Sequence, residues 1–195
     1  MKKFELTAET KINIFGKKFF RIKALISFGD VKEGETGGWV EKEENLDQCG
    51  NAWVYGDAKV YGNARVSGDA KVYGNARVYG NAWVYGDARV YGDVWVYGNA
   101  RVSGDAWVYG NARVSGDAWV YGNADYTTIH GFGTQFRTTT FFRCKDKQIR
   151  VSCGCFLGTI SEFREQVKNT RKGKIAEEYL MIADLMEKHF VEEAK

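Results

Sequence analysis

The chain of 195 residues contains no proline and only two histidines. The first absence excludes proline-stiffened linkers and polyproline docking segments, and fits a chain made of ladders and helices. The second leaves His130 and His189 as the only imidazoles for general-base work. Four cysteines (Cys49, Cys144, Cys153 and Cys155) without an export signal read as reduced thiols rather than a disulfide framework. No signal peptide and no run of eighteen apolar residues are seen, so the expectation is a cytoplasmic protein with no membrane partner. A net charge of +3 is too small to imply a nucleic-acid partner by itself.

What is present is a repeat. Twelve six-residue units run without a gap over residues 52–123, each reading Ala or Val, any residue, Val, Tyr or Ser, Gly, Asn or Asp. In an extended segment side chains alternate faces, so each Val and the residue two before it point the same way, inward. Gly and Asn/Asp then supply the backbone freedom of a corner. A period of six marks a β-helix. Three units close a coil of eighteen residues, and four such coils stacked at roughly 4.8 Å stand about 19 Å tall. Val40 and Leu46 carry the phase backward, so a first coil is expected to begin near Gly38, with a two-residue bulge around Gln48 and Cys49.

Stacking converts positions eighteen apart into columns. The first wall carries Tyr55, Tyr73, Tyr91 and Tyr109 beside Trp53, Lys71, Arg89 and Trp107. The second carries Tyr61, Tyr79, Tyr97 and Ser115 beside Lys59, Arg77, Trp95 and Arg113, and the third carries Ser67, Tyr85, Ser103 and Tyr121 beside Arg65, Trp83, Arg101 and Trp119. All three walls are aromatic and basic.

The ends lack the repeat. Residues 1–37 read as a β cap, with strands over 11–15 and 19–25 pairing across Gly16. In residues 125–195, segments 138–144 and 148–153 read as a hairpin turning at Asp146 and Lys147. Thr159 and Glu162 read as a capping box for a helix to Asn169 that buries Ile160, Phe163 and Val167. A second helix, from Lys174 to Glu193, carries Ile175, Tyr179, Ile182, Met186 and Phe190 on one stripe. The expected fold is mainly β: a parallel β-helix of about four 18-residue coils over 38–124, an N-terminal β cap and a C-terminal ββαα module. Charge is uneven. Residues 137–174 hold Arg137, Arg143, Lys145, Lys147, Arg150, Arg164, Lys168, Arg171, Lys172 and Lys174 against Asp146, Glu162 and Glu165. The last helix reverses this with Glu177, Glu178, Asp184, Glu187, Glu192 and Glu193 against Lys188 and Lys195.

The repeat resembles the left-handed β-helix of the hexapeptide-repeat family, which includes many acyltransferases; the left hand is implied by that resemblance. Two N-terminal segments, Gly29-Asp30-Val31-Lys32 and Gly37-Gly38-Trp39-Val40, are similar to uncharacterised proteins of phages and prophages in gut bacteria. So are Arg137-Thr138-Thr139-Thr140-Phe141-Phe142 and Val151-Ser152-Cys153-Gly154-Cys155-Phe156. The N-terminal stretch is also similar to the start of a bacterial hexapeptide-repeat protein regarded as an acyltransferase. These likenesses imply a bacterial host cell as the setting and supply no catalytic residues.

Acyltransferases of that family use a histidine base in a cleft between subunits of a trimer. No hexad holds a histidine and no loop interrupts the hexads. His130, in Ile129-His130-Gly131-Phe132-Gly133-Thr134, is the candidate base only if the chain is a transferase; the alternative is a glycine-rich exit from the last coil. His189 reads as a helix-rim residue. The hairpin turn places Cys144 opposite Ile149 and Cys153 opposite Thr140, too far apart for one tetrahedral zinc site, with Cys153 and Cys155 as small buried thiols on one face. Corner aspartates read as turn chemistry rather than calcium ligands. No metal and no cofactor are expected.

The candidate binding residues are Trp53, Tyr55, Tyr73, Arg89, Tyr91, Trp107 and Tyr109 on the first wall, and Arg77, Trp95 and Arg113 on the second. Arg137, Arg143, Lys145, Arg150, Arg171 and Lys172 join them from the basic segment. The leading expectation is a non-enzymatic phage or prophage accessory protein, a rigid binding or assembly scaffold that sequesters a host protein or a nucleotide signal and forms a dimer or trimer. The alternatives are an acyltransferase-like enzyme and a nucleic-acid-binding protein acting through residues 137–174.

Overall fold

The computed structural model describes residues 2–191. Glu192, Glu193 and Lys195, counted above with the acidic helix, lie outside the described residues. Each hexad forms a two-residue strand ending in its Val, from Trp53–Val54 to Trp119–Val120. It pairs in parallel with the hexad eighteen residues on, as Val54 with Val72, Val72 with Val90 and Val90 with Val108 on the first wall. The rungs are tied by bonds such as Tyr55 N–H to the Val72 carbonyl at 2.8 Å and Tyr79 N–H to the Val96 carbonyl at 3.0 Å. All twelve hexad valines, and the Ala or Val two residues before each, are fully buried. At one corner the side chains form a ladder of their own, with Asn63 donating to Asn81 (3.2 Å), Asn81 to Asn99 (3.2 Å) and Asn99 to Asp117 (3.0 Å).

An irregular coil lies below these twelve units and brings the solenoid to about five turns. Val40 pairs with Val60 and Leu46 bridges Val66, offsets of twenty residues where Val54 to Val72 is eighteen. The two extra residues fall at the expected bulge. There Gln48 Oε1 accepts from Lys3 N (2.8 Å) and Gln48 Nε2 donates to Glu43 (2.8 Å), so the bulge receives the incoming chain.

The N-terminal strands are Phe4–Ile12 and Lys18–Ala24, not 11–15 and 19–25. The turn is set by Asn13, whose Oδ1 accepts from the backbone N–H groups of Phe15 and Lys17, both at 2.9 Å, rather than by Gly16 alone. The strand Lys18–Ala24 pairs antiparallel with Thr36–Val40, which extends the second wall into a seven-stranded sheet. Phe4, Ile22 and Val31 close the lower end of the lumen.

At the upper end the expected ββαα module has four strands before its helices: Tyr126–Phe132, Arg137–Arg143, Ile149–Cys153 and Phe156–Thr159, in that sheet order. The supposed glycine-rich exit is the first of them, its pairing irregular between Ile129 and Phe132 where Gly131 interrupts it. Arg143 faces Ile149 and Thr139 faces Cys153, one residue away from the expected register. The cause is a three-residue loop, closed by Cys144 N–H on the Gln148 carbonyl at 2.9 Å, with Lys147 at φ 64°. Cys155 sits in the turn after Cys153, outside both strands and exposed, rather than on a buried face.

The strand Arg137–Arg143 serves two cores by alternation. Phe142 joins Tyr126 and Cys144 over the lumen, while Phe141 turns the other way to meet Phe163 and Met186. Helix α1 spans Ile160–Thr170. It has the expected box, Thr159 Oγ1 accepting from Glu162 N at 3.1 Å and Glu162 Oε2 from Thr159 N at 2.7 Å. Helix α2 spans Gly173–His189, and Tyr179, Ile182, Met186 and Phe190 are buried on its stripe. No helix among the described residues is long and apolar enough to cross a membrane.

Candidate functional site

The outer walls are ordered by what stacks on what. Tyrosines eighteen apart lie ring on ring: Tyr55 on Tyr73 at 4.6 Å, Tyr61 on Tyr79 at 4.9 Å, Tyr79 on Tyr97 at 5.1 Å and Tyr91 on Tyr109 at 5.5 Å. The neighbouring column of the third wall alternates cation and indole, whereas Lys71 and Arg89 on the first wall and Lys59 and Arg77 on the second stand on adjacent rungs. Arg101 lies 5.5 Å from the Trp83 ring and 5.3 Å from the Trp119 ring, and Lys145 extends the column at 5.9 Å from Trp119. On the second wall Arg77 (5.0 Å) and Arg113 (4.8 Å) sandwich Trp95, and on the first Arg89 lies 4.8 Å from Trp107. Each such contact is worth about 0.5–1 kcal/mol at an exposed site.

The walls are not equally open. Trp53 is fully buried beneath Phe4 (6.2 Å) and Phe28 (5.4 Å) and is therefore no binding residue. The second wall is covered from below by Phe19, whose ring meets Tyr61 at 5.4 Å. From above it meets the C-terminal sheet through Arg113 N–H on Thr140 Oγ1 at 3.0 Å, and Ser115, expected outward, is buried there. Ser103, between Tyr85 and Tyr121 on the flanking rungs, is also buried. Between the two covers of the second wall Arg77 is exposed and Trp95 half-buried, and the most exposed wall rings lie on the first and third walls, where Trp83, Tyr91, Trp107, Tyr109 and Tyr121 are 39–52% exposed.

Part of the basic segment is neutralised from within. Arg143 meets Asp125 (3.2 Å), Arg150 meets Asp146 (2.9 Å), and Arg164 meets Asp184 (2.8 Å) and Glu187 (2.7 Å). Lys145 belongs to the third-wall column, and Arg171 and Lys172 stand exposed at the α1–α2 junction. Arg137 lies instead near Arg113, on the rim of a hollow that also holds His130 and Phe136. Phe136, Trp83 and Tyr121 were missed by sequence reasoning. The wall residues stood in the columns, whereas Phe136 gains meaning only once strand Tyr126–Phe132 makes it a hairpin tip.

His130 Nδ1 lies 3.1 Å from Thr138 Oγ1, and among the described residues no carboxylate lines its hollow to orient it as a base. A hollow of about 650 Å³ between Asp117, Cys144, Arg150 and Glu162 contains a thiol that burial pushes up to about 11, a poor nucleophile. Among the described residues no group of three or more His, Cys, Asp or Glu side chains is placed to hold a metal ion.

Burial also pushes the Tyr55 and Tyr79 phenols up to about 12, and pushes the Lys3 ammonium, under the first coil, down to about 8. A phenol raised in the folded state stabilises it while protonated, so that contribution is present below pH 10 and lost from there to about pH 12. Lys3 acts oppositely: burying its charge costs stability below pH 8, and the cost is relieved as the pH rises toward 10.5. Urea midpoints are expected to rise between pH 8 and 10 and fall beyond 10, with Tyr79→Phe blunting the fall. A flat profile from pH 10 to 12 would contradict the stacked, desolvated column.

No curated protein matches the chain. Residues 58–71, 70–86, 82–98, 96–110 and 106–122 match the family described as the YdcK beta solenoid repeat. The matched stretch coincides with the regular coils described above, so the centre of the chain is similar to that family's β-solenoid repeat.

Proposed function

We propose that the protein is a non-catalytic scaffold that binds a partner protein along the first and third walls of its solenoid. The observation carrying this reading is the set of open aromatic rings on those walls, Trp83, Tyr91, Trp107, Tyr109 and Tyr121, interleaved with Arg89 and Arg101. Trp, Tyr and Arg dominate binding energy at protein interfaces, and rings locked in stacks lose little entropy when covered. A contiguous apolar surface of this kind is uncommon on a free monomer. The resemblance of the end segments to phage and prophage proteins, and of the repeat to left-handed hexapeptide coils, supports a bacterial host protein as the partner, with a second copy of the chain as the other occupant the walls would suit.

The test is co-purification of the intact chain from a bacterial host beside a Trp107→Ala/Tyr109→Ala variant. The expected result is a stoichiometric partner held by the wild type and lost, at least tenfold, by the variant at unchanged circular dichroism. His130→Ala should leave the association intact. Acyl transfer from an acyl-thioester donor that disappears with His130→Ala would overturn the reading.

A further inference from the structure

Where the top coil meets the C-terminal hairpin lies a hollow of about 300 Å³ whose wall carries Arg113, Arg137 and His130 and, among the described residues, no carboxylate. Arg113 is fixed in place: it packs 4.8 Å from Trp95 and its Nη1 donates to the Gly154 carbonyl at 3.1 Å. Arg137 approaches the same glycine, its Nη1 lying 2.6 Å from where a Cβ on residue 154 would stand, and Gly154 has φ +63°. Two guanidinium groups therefore converge on one residue that tolerates them because it has no side chain. Like charges brought together at a protein surface repel one another. Arg143, Arg150 and Arg164 in the same module each meet a carboxylate, so the all-basic wall here is a local exception.

Phe136 stands on the rim. It is 66% exposed and holds φ 47°, a left-handed conformation uncommon for a bulky residue. Packing does not account for its position, since most of the ring meets solvent. His130, engaged through Nδ1 with Thr138, has Nε2 left for a ligand. A flat apolar ring beside two converging guanidiniums is the pairing that recognises a base attached to a phosphate. The volume is at the small end of ligand sites, suited to one nucleotide unit.

We propose that this hollow binds a nucleoside phosphate, with the phosphate between Arg113 and Arg137 beside His130 and the base stacked on Phe136. The proposal rests on the reading of the chain as a non-catalytic binding protein and names a ligand for a second surface. The ligand's source is either a free nucleotide or the phosphorylated end of a single strand.

Isothermal titration of the full chain with ADP, adenosine, inorganic phosphate and a 5′-phosphorylated DNA pentamer tests it. ADP or the pentamer is expected to bind one per chain, with adenosine and phosphate each at least tenfold weaker. Arg137→Ala should weaken binding by at least tenfold and Phe136→Ala by roughly 5- to 100-fold. Both residues are exposed on the hairpin, so melting temperature should not move. A pentamer bound more than tenfold tighter than ADP assigns the site to strand ends; otherwise it takes the free nucleotide. Absence of binding for both at millimolar concentration overturns the proposal, as does affinity indifferent to both substitutions, or inorganic phosphate binding as tightly as ADP. A phosphotyrosine peptide that outcompetes both would do the same. If nucleotide binding fails while Trp107→Ala/Tyr109→Ala still loses its protein partner, the nucleotide site falls and the scaffold reading stands.

Discussion

Gly98→Ala is expected to destabilise the solenoid by about 3 kcal/mol, while Gly110→Ala costs only about 1 kcal/mol. Both glycines turn corners on the left-handed side, at φ +72° and +73°, so both substitutions meet the same intrinsic penalty. They differ in what the new methyl would touch. At residue 98 a Cβ would lie 2.9 Å from the Gly116 nitrogen and 3.2 Å from its carbonyl oxygen, backbone atoms of the next rung that cannot rotate away. At residue 110, above which no further hexad stacks, nothing lies within 4 Å. A chain of this size loses roughly 2–4 °C of melting temperature per kcal/mol, so the two variants should separate by about 4–8 °C. Equal shifts would mean that stacking between corners is looser than described.

Val90→Asp should have a larger effect still, about 4 kcal/mol or more, enough to unfold most of the chain. Val90 is fully buried between Val72 below and Val108 above, and the lumen around it is lined by Ala and Val. A carboxylate there finds no donor, because the rung N–H groups are already committed, as Tyr91 N–H is to the Val108 carbonyl at 3.0 Å. In a solenoid each coil is held by its two neighbours, so damage at the middle coil removes support from both sides. Arg89→Gln, one residue away and outside, should cost no more than its contact with Trp107, about 1 kcal/mol. Chemical denaturation of the two variants distinguishes inside from outside. A similar loss for both would contradict the inward phase of Val.

That phase was legible because a strict period of six leaves each residue one choice of face, and the Thr159–Glu162 box was legible because its two bonds are local. The burial of Trp53 was not legible. Of the two rings that cover it, Phe4 comes from an N-terminal hairpin whose turn rests on Asn13 Oδ1 accepting from backbone N–H groups, and Phe28 from the segment that follows that hairpin. Strands Tyr126–Phe132 and Phe156–Thr159 were passed over because glycines at 131, 133, 154 and 158 break their alternation. The columns of Trp and Arg were visible in the eighteen-residue spacing, yet their meaning as alternating cation and ring needed the measured distances. The hollow at Phe136 was hidden for the reason its strand was hidden, since Arg113 and Arg137 come together only across the join of coil and hairpin.

Partner binding by the open aromatic walls is best tested by native mass spectrometry of the chain purified gently from a bacterial host, beside the Trp107→Ala/Tyr109→Ala variant. The expected result is a partner protein or second copy bound non-covalently to the wild type and absent from the folded variant. A wild-type chain that emerges as a bare monomer, or a variant that keeps the same partner, would contradict it.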